Sequence, residues 1–481
     1  MYHSNINPII KEIPMIDPAK VFSLFKDNNY PFFLDSGMNK YSSGRYSFIG
    51  CEPFLVFKSR HKQIEIFEQG IRKQYEACLV EDNPFDALRV LINQYKLQQL
   101  PNLPSFIGGA VGYFGYEMRH LIEQARLVDV PGKGIDDLDI PDCIFCFYDV
   151  IFIFDHLKKK AYISSSGFPE TGKSRETKAK ERLKEVLTKL GQIDNLRIKK
   201  GLSLLEVNVE IISNFTQQRY LEVIGRVKEY IAAGDIYQVN LSQRLIANLF
   251  IPEFELYKRL KKLNPASFAC FLDLKDVIIA GASPERFLQV EGKNVVTRPI
   301  KGTRPRGKTK TEDLKLKNEL KTSEKDKAEL IMIVDLLRND LGRVCRYGSV
   351  VVKDIRRLEM YPTVFHTVAT ICGELSTRHD RFDLLKACFP GGSITGAPKI
   401  RAMEIIDELE PNKRHIYTGC IGYLSFSGSM DLNIAIRTFV IKDNKAYFHV
   451  GGGITADSIP QDEYNETLHK GKALIEALGK L

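Results

Sequence analysis

The first 165 residues are crowded with short β-prone runs set close together, and that crowding constrains the fold more than anything else in the sequence. Tyr46-Ser-Phe-Ile-Gly, Phe54-Leu-Val-Phe, Gln63-Ile-Glu-Ile-Phe and Asp149-Val-Ile-Phe-Ile-Phe-Asp are rich in the β-branched and aromatic residues that strands favour. A short turn through Lys158-Lys159-Lys160 leads from the last of them to Ala161-Tyr-Ile-Ser, so these two runs pair as a hairpin. Helices are sparser, the clearest spanning Pro84 to Gln98. Leu183, Val186, Leu187 and Leu190 then mark a charged amphipathic helix from Ser174 to Leu190, followed by a polar stretch to about Gly201. That stretch divides a β-rich region, 1–200, from a second region, 201–481.

Beyond the boundary, helices and strands alternate irregularly. Helices are expected at Thr216 to Ala233, Glu324 to Arg338, Asp383 to Cys388 and Ile459 to Leu478. Strands are expected at Val239 to Ile246, Phe268 to Leu274, Val277 to Ala280, Ala435 to Ile441 and Ala446 to Val450. Paired strands with helices outside make this an α+β chain rather than a doubly wound one.

With 481 residues, 44% of them hydrophobic, the chain can bury a sizeable core. No apolar run approaches the roughly eighteen residues that cross a bilayer. Met1-Tyr2-His3-Ser4-Asn5 lacks the charged, then apolar, start of an export signal. A cytoplasmic protein with no membrane partner is expected. The cysteines are odd in number and scattered, unlike a disulfide framework, and Cys143 and Cys146 sit in a buried strand with no second pair for zinc. Net charge is +9, from 69 basic and 60 acidic residues, a thin excess that suits small anions and gives no reason to expect a nucleic acid. Lys308 to Lys327 alternates with acids and reads as a solvated face.

Gly167-Phe-Pro-Glu-Thr-Gly172-Lys173-Ser174 matches the phosphate-loop pattern GxxxxGK[ST] at every fixed position, and a phosphate-loop ATP-binding protein is the reading from another class. Such a loop follows a parallel strand, whereas the strand before Gly167 is expected to return as a hairpin. A polar surface linker is the preferred reading.

Arg298-Pro299-Ile300-Lys301-Gly302-Thr303-Arg304-Pro305-Arg306 holds a lysine between the fixed backbone of Pro299 and the permissive Gly302, in what reads as a rigid turn. Desolvated or set beside another cation, for which Arg304 and Arg306 are candidates, such a lysine becomes a nucleophile. Asp326 and Glu329 share one helix face, as do Glu463 and Glu466, with Lys470 a turn further on. Two such pairs suit magnesium, which takes few protein oxygens. Gly391-Gly392-Ser393-Ile394-Thr395-Gly396 and Gly451-Gly452-Gly453 could bind an anion through backbone N–H groups.

Arg298 to Gly307, Ser283-Pro284-Glu285-Arg286-Phe287, Ile333 to Gly342, Gly391 to Lys399 and Gly451 to Thr467 together resemble the chorismate-utilising enzymes, strongly over residues 205 to 481. Leu34-Asp35-Ser36, Gly44-Arg45-Tyr46-Ser47 and Gly108 to Tyr113 extend the likeness more loosely to the synthase components of that family. The resemblance implies one interlocked α+β unit, with two packed, mainly antiparallel sheets, helices outside and a cleft in the second half. Gln238 stands where isochorismate and salicylate synthases carry a water-activating lysine, so that chemistry is not expected. Lys301 stands where anthranilate synthases generally have alanine, and a lysine there is typical of the aminodeoxychorismate synthase component I branch. That branch aminates chorismate to 4-amino-4-deoxychorismate for p-aminobenzoate and folate; anthranilate synthase component I is the alternative.

The hydroxyl on ring carbon 4 of chorismate leaves poorly without an acid. By the same resemblance Glu285 is that acid, Lys301 the nucleophile, and His366, in a strand between Val364 and Val368, lies beside the ring. Mg²⁺ would be held by Glu329 and Glu466, with Asp326 and Glu463 acting through water. Gln238, Thr303, Ser393, Thr395, Gly396, Tyr417, Arg437, Gly451, Gly452 and Lys470 are the expected substrate contacts. Leu34, Asp35, Ser36 and Tyr46 are the expected regulatory or tryptophan site. With no Gly-x-Cys-x-Gly glutaminase segment in the sequence, ammonia is expected from a separate glutamine amidotransferase subunit.

Overall fold

A computed structural model describes residues 7–36, 44–68, 70–73, 83–122, 134–195 and 209–479. The boundary drawn near residue 200 lies outside the described residues. Among the described residues, two sheets of twelve strands each are formed, and their ladders are antiparallel. Strands from the two halves of the sequence are neighbours in both sheets. Phe32–Asp35 pairs with Phe268–Asp273 in the first, and Gly109–Phe114 pairs with Cys420–Ser425 in the second.

The unbroken apolar run Val150 to Phe154, within the strand Val150–Asp155, shows why the sheets stack. Ile151 and Ile153 point into the core between the sheets, while Val150, Phe152 and Phe154 point to the other face, under helices. A strand covered on both faces needs no polar alternation. On that outer face lie Pro18–Phe25, Glu253–Leu263 and Pro460–Leu478, through Phe22, Leu256, Leu260 and Leu474. Glu324–Gly342 and Arg381–Cys388 join the larger core cluster, which takes in both faces of the second sheet, through Ile333, Leu337 and Leu385. No described helix is long and apolar enough to cross a membrane.

Several boundaries differ from expectation for local reasons. The helix at Pro84 stops at Ile92, because Tyr95 turns inward to pack 5.0 Å from Phe54 and 5.3 Å from Phe168. The strand expected from Ala435 begins at Thr438, since Arg437 adopts φ +51°. The hairpin Val150–Asp155/Lys160–Ser165 forms as expected, with Lys160 opposite Asp155. Gly167, the first glycine of the phosphate-loop pattern, therefore follows an antiparallel strand. It presses on the helix Gly172–Leu190, where an added Cβ would stand 2.1 Å from the Arg175 carbonyl oxygen. That glycine has a packing role. Cys143 and Cys146 lie buried in the strand Cys143–Tyr148, as expected.

Candidate active site

The segment expected to be a rigid turn is instead a bulged strand. Ile300–Pro305 pairs with Val364–Glu374, but Ile300 faces Val368 and Thr303 faces His366, which leaves Lys301 and Gly302 both opposite Thr367. An extra residue of this kind re-aims a side chain. Gly302 makes the bend possible with φ +81°. The Lys301 amine is carried inward to 4.0 Å from a Glu329 oxygen, its side chain 12% exposed. Burial pushes its pKa below the ordinary value, and Lys470 adds to that; Glu329, Glu285 and Glu466 oppose it. Arg304 and Arg306 do not supply the second cation expected of them. Arg304 binds Asp326 at 3.1 Å, and Arg306 binds Asp313 at 2.7 Å while lying over Phe365. A guanidinium neutralised by its own carboxylate exerts little net field on a neighbour.

Glu285 lies between Ile278–Ser283 and Arg286–Glu291, buried, and accepts a 2.6 Å hydrogen bond from the Ser393 hydroxyl. Burial raises its carboxyl to about 7, against the opposing pull of Ser393, Lys301 and Arg437. Ser393 thus touches the acid itself. His366 is buried and is held at about 3, first by burial and then by Arg437, so its ring is neutral. Its Nδ1 meets the Thr303 hydroxyl at 2.8 Å, and its Nε2 has no protein partner.

The four acids arrive on two helices, Glu324–Gly342 and Pro460–Leu478. Glu329 is buried enough to be raised above its ordinary pKa, with Asp326 and Glu466 adding to the rise and Lys301 and Lys325 opposing it. Burial works against the charge of Glu466, but Lys470, 2.6 Å away, holds it below the ordinary value. Glu463 accepts from Ser458 at 2.6 Å and pairs with Lys325 at 3.4 Å. Among the described residues no three His, Cys, Asp or Glu side chains gather closely enough to enclose a metal. Glu329 and Glu466, within electrostatic reach of each other, nonetheless offer the one or two carboxylates that Mg²⁺ uses when a substrate supplies further oxygens. The donor set fits that ion.

Gly451 and Gly452 lie within the strand Lys445–Ile454, opposite Ser242 and Leu241. They are not in a loop. The neighbour Thr438–Lys442 pairs only as far as Tyr447, so the other edge of the strand is open by Gly451, whose carbonyl accepts from Lys470 at 3.1 Å. A Cβ on Gly452 would stand 3.5 Å from Glu463 and 3.6 Å from both Glu466 and Lys470. Gln238 is buried, with Oε1 unpartnered, and its amide fills the space above Gly453. Gly396 approaches the Gln238 carbonyl too closely for any side chain. Gly391 and Gly392 lie against side chains instead, the ends of Ile434 and Leu336. Thr395 donates its hydroxyl to the Gly391 carbonyl at 3.0 Å. Arg437 reaches Asn264 at 3.3 Å and feels Glu285.

Sequence reasoning missed the clamp behind this wall. Arg414 is fully buried and donates to Glu410 at 2.6 and 2.8 Å, to the Asn240 carbonyl at 2.6 Å, to the Ile394 carbonyl at 3.1 Å and to Thr418 at 3.3 Å. It ties the Ser393 segment, the strand bearing Gln238 and the Tyr417 loop together. Tyr417, buried and pushed up to about 12, stacks on His449 at 4.7 Å. Arg414→Met should cost about 3–5 kcal/mol, because Glu410 would be left buried without its counter-ion; urea unfolding measures the loss.

Leu34, Asp35, Ser36 and Tyr46 lie in a separate cluster in the first sheet. Asp35 is buried, accepting from Tyr257 at 2.9 Å and Ser47 at 3.0 Å and pairing with Lys261. Ser36 donates its N–H to the Ser47 hydroxyl at 3.2 Å, and its own hydroxyl is buried without a partner. Leu34 pairs with Cys270 and Phe48, and Tyr46 lies under Arg45 at 4.7 Å.

A family model described as chorismate binding enzyme matches residues 40–476. Anthranilate synthase component 1 of Acetivibrio thermocellus is 40% identical over 482 residues, covering 98% of this chain and 95% of that protein. Aminodeoxychorismate synthase component 1 of Bacillus subtilis (strain 168) is 37% identical over 435 residues, covering 90% and 89%. The crystal structure of anthranilate synthase component I from Streptococcus pneumoniae TIGR4 superposes with a TM-score of 0.75 at 31% identity, covering 91% of this chain and 94% of that one. MenF, the menaquinone-specific isochorismate synthase from Escherichia coli, shares the fold at a TM-score of 0.70 and 17% identity, covering 99% of this chain and 96% of its own.

Proposed function

The chain belongs to the chorismate-binding enzyme family, and from that premise we propose that it is component I of an aminodeoxychorismate synthase. The observation that carries this reading is the Lys301 amine, its side chain 12% exposed, 4.0 Å from Glu329 and within electrostatic reach of the buried carboxylic acid of Glu285, with its pKa pushed down. Lys301, as the free amine, forms a bond to ring carbon 2 of chorismate. The two ring double bonds shift, and the carbon 4 hydroxyl departs as water with the proton of Glu285. Ammonia then bonds to carbon 4, the double bonds shift back, and the carbon–nitrogen bond to Lys301 breaks. The Glu285 carboxylate takes up the proton that ammonia releases. Two displacements leave nitrogen where oxygen was.

Mg²⁺ held by Glu329 and Glu466, with Asp326 and Glu463 behind them, would supply positive charge to the ring carboxylate. Lys470, Tyr417, Arg437 and the open edge at Gly451 orient the substrate. Neutral His366 presents its unpartnered Nε2 beside the ring. Gln238, an amide, has no basicity with which to activate water, which supports ammonia as the second nucleophile. A glutamine amidotransferase subunit supplies that ammonia. The buried Ser36 hydroxyl and Asp35 form a regulatory site for an amino-acid ligand such as tryptophan.

Anthranilate synthase component I is the second reading, favoured by the 40% identity to the Acetivibrio thermocellus enzyme. The products separate the two. With chorismate, Mg²⁺ and an ammonium salt, chromatography should show 4-amino-4-deoxychorismate and no pyruvate. Accumulation of anthranilate with equimolar pyruvate rejects the proposal.

A further inference from the structure

The bulge that aims Lys301 has a device of its own. An extra residue in one strand leaves a backbone group outside the ladder, and a buried carbonyl needs a donor. Here the donor is a side chain: the Thr367 hydroxyl, buried in the facing strand, donates to the Lys301 carbonyl. The approach works because Gly302 has no Cβ, which would otherwise stand 2.9 Å from the Thr367 hydroxyl and 2.9 Å from Leu320. On the next rung Thr303 and His366 are joined by their own hydrogen bond at 2.8 Å. The bulge is thus pinned at Thr367 and again one rung later.

We infer that Thr367 is a positioning residue that fixes the register of the bulge and so keeps the Lys301 amine beside Glu329. Strand side chains alternate between faces, so a bulge that migrates by one residue turns this lysine away from Glu329 and Glu285. Thr367 touches no reacting atom; it acts on the lysine through one carbonyl. This inference rests on Lys301 being the nucleophile proposed above.

The test exposes purified protein to chorismate and Mg²⁺ without ammonia, follows the protein–substrate adduct by intact mass, and measures kcat and KM with ammonium. Wild type should form the adduct on Lys301. Thr367→Val, of equal shape without the hydroxyl, should form it about a hundredfold more slowly, the scale of an ångström-sized misplacement. Its kcat should fall in parallel, with KM for chorismate little changed. Thr367→Ser, which keeps the hydroxyl, should stay close to wild type. Adduct formation at the wild-type rate in Thr367→Val overturns the inference while leaving the nucleophile reading intact. Equal slowing in Thr367→Ser also overturns it, since the hydroxyl would then not be the operative group. If wild type forms no adduct, the nucleophile reading fails and this inference fails with it. Should Thr367→Val melt early, the Ser variant and Gly302→Ala decide instead, the latter being expected to lose the adduct from the opposite strand.

Discussion

Lys301→Ala should lower amination of chorismate by at least about a thousandfold, as removal of a nucleophile does in other covalent enzymes. The protein should still fold. Taking a lysine side chain into a site where it is 12% exposed costs desolvation that its 4.0 Å contact with Glu329 offsets only in part. The melting temperature should therefore stay near that of wild type. Lys301→Arg separates charge from nucleophilicity, because a guanidinium keeps its proton at any working pH. It should fail as completely as alanine. Wild-type rates on the acid side should rise with pH as the depressed amine of Lys301 loses its proton, and neither variant should show that limb. Turnover in Lys301→Arg comparable with wild type would remove the lysine's chemistry from the mechanism.

What the sequence disclosed and what it hid divide along one physical line. Continuous apolar runs such as Val150 to Phe154 are local, and so are the caps and apolar stripes of Glu324–Gly342; both could be read directly. The spacing of Asp326 with Glu329, and of Glu463 with Glu466, likewise put each pair on one helix face. Properties that depend on distant partners could not be read. The bulge at Lys301 is set by which residue of Val364–Glu374 lies opposite, and nothing within Arg298 to Arg306 states that register. Arg304 and Arg306 looked free because Asp326 and Asp313 lie on helices that fold back over the strand. Arg414 gave no signal of its own. Its acid Glu410 is four residues away, but Pro411 breaks the helix between them, and its other partners lie at 240 and 394. Arg437 holds φ +51° without being glycine, a conformation imposed by tertiary packing. The four matching letters of the phosphate-loop pattern carry no strand direction, but the hairpin before Gly167 is local and could be read, and it argues against the pattern.

Glu285→Gln should lower kcat by about 10²–10⁴-fold, the usual contribution of a positioned general acid. The amide keeps the shape and can still accept from Ser393, so the loss is of the proton alone. Because the carboxyl titrates at about 7 and acts protonated, wild-type kcat should fall as pH rises through that value, and the residual rate of Glu285→Gln should lack this fall. The same group gives a second, independent readout in stability. Its folded pKa lies above the ordinary 4.5, so between those values the native state holds a proton that the unfolded chain has released, and stability is lost as pH rises through the window. The glutamine variant has no such proton to lose. Its melting temperature should match or exceed that of wild type at pH 8 and lose that advantage at pH 5. A variant that keeps full kcat while showing the stability change would mean that Glu285 is buried and protonated but is not the acid that releases the hydroxyl. Parallel losses of stability at both pH values would instead show that the Ser393 contact is structural and that the carboxyl does not titrate in this range.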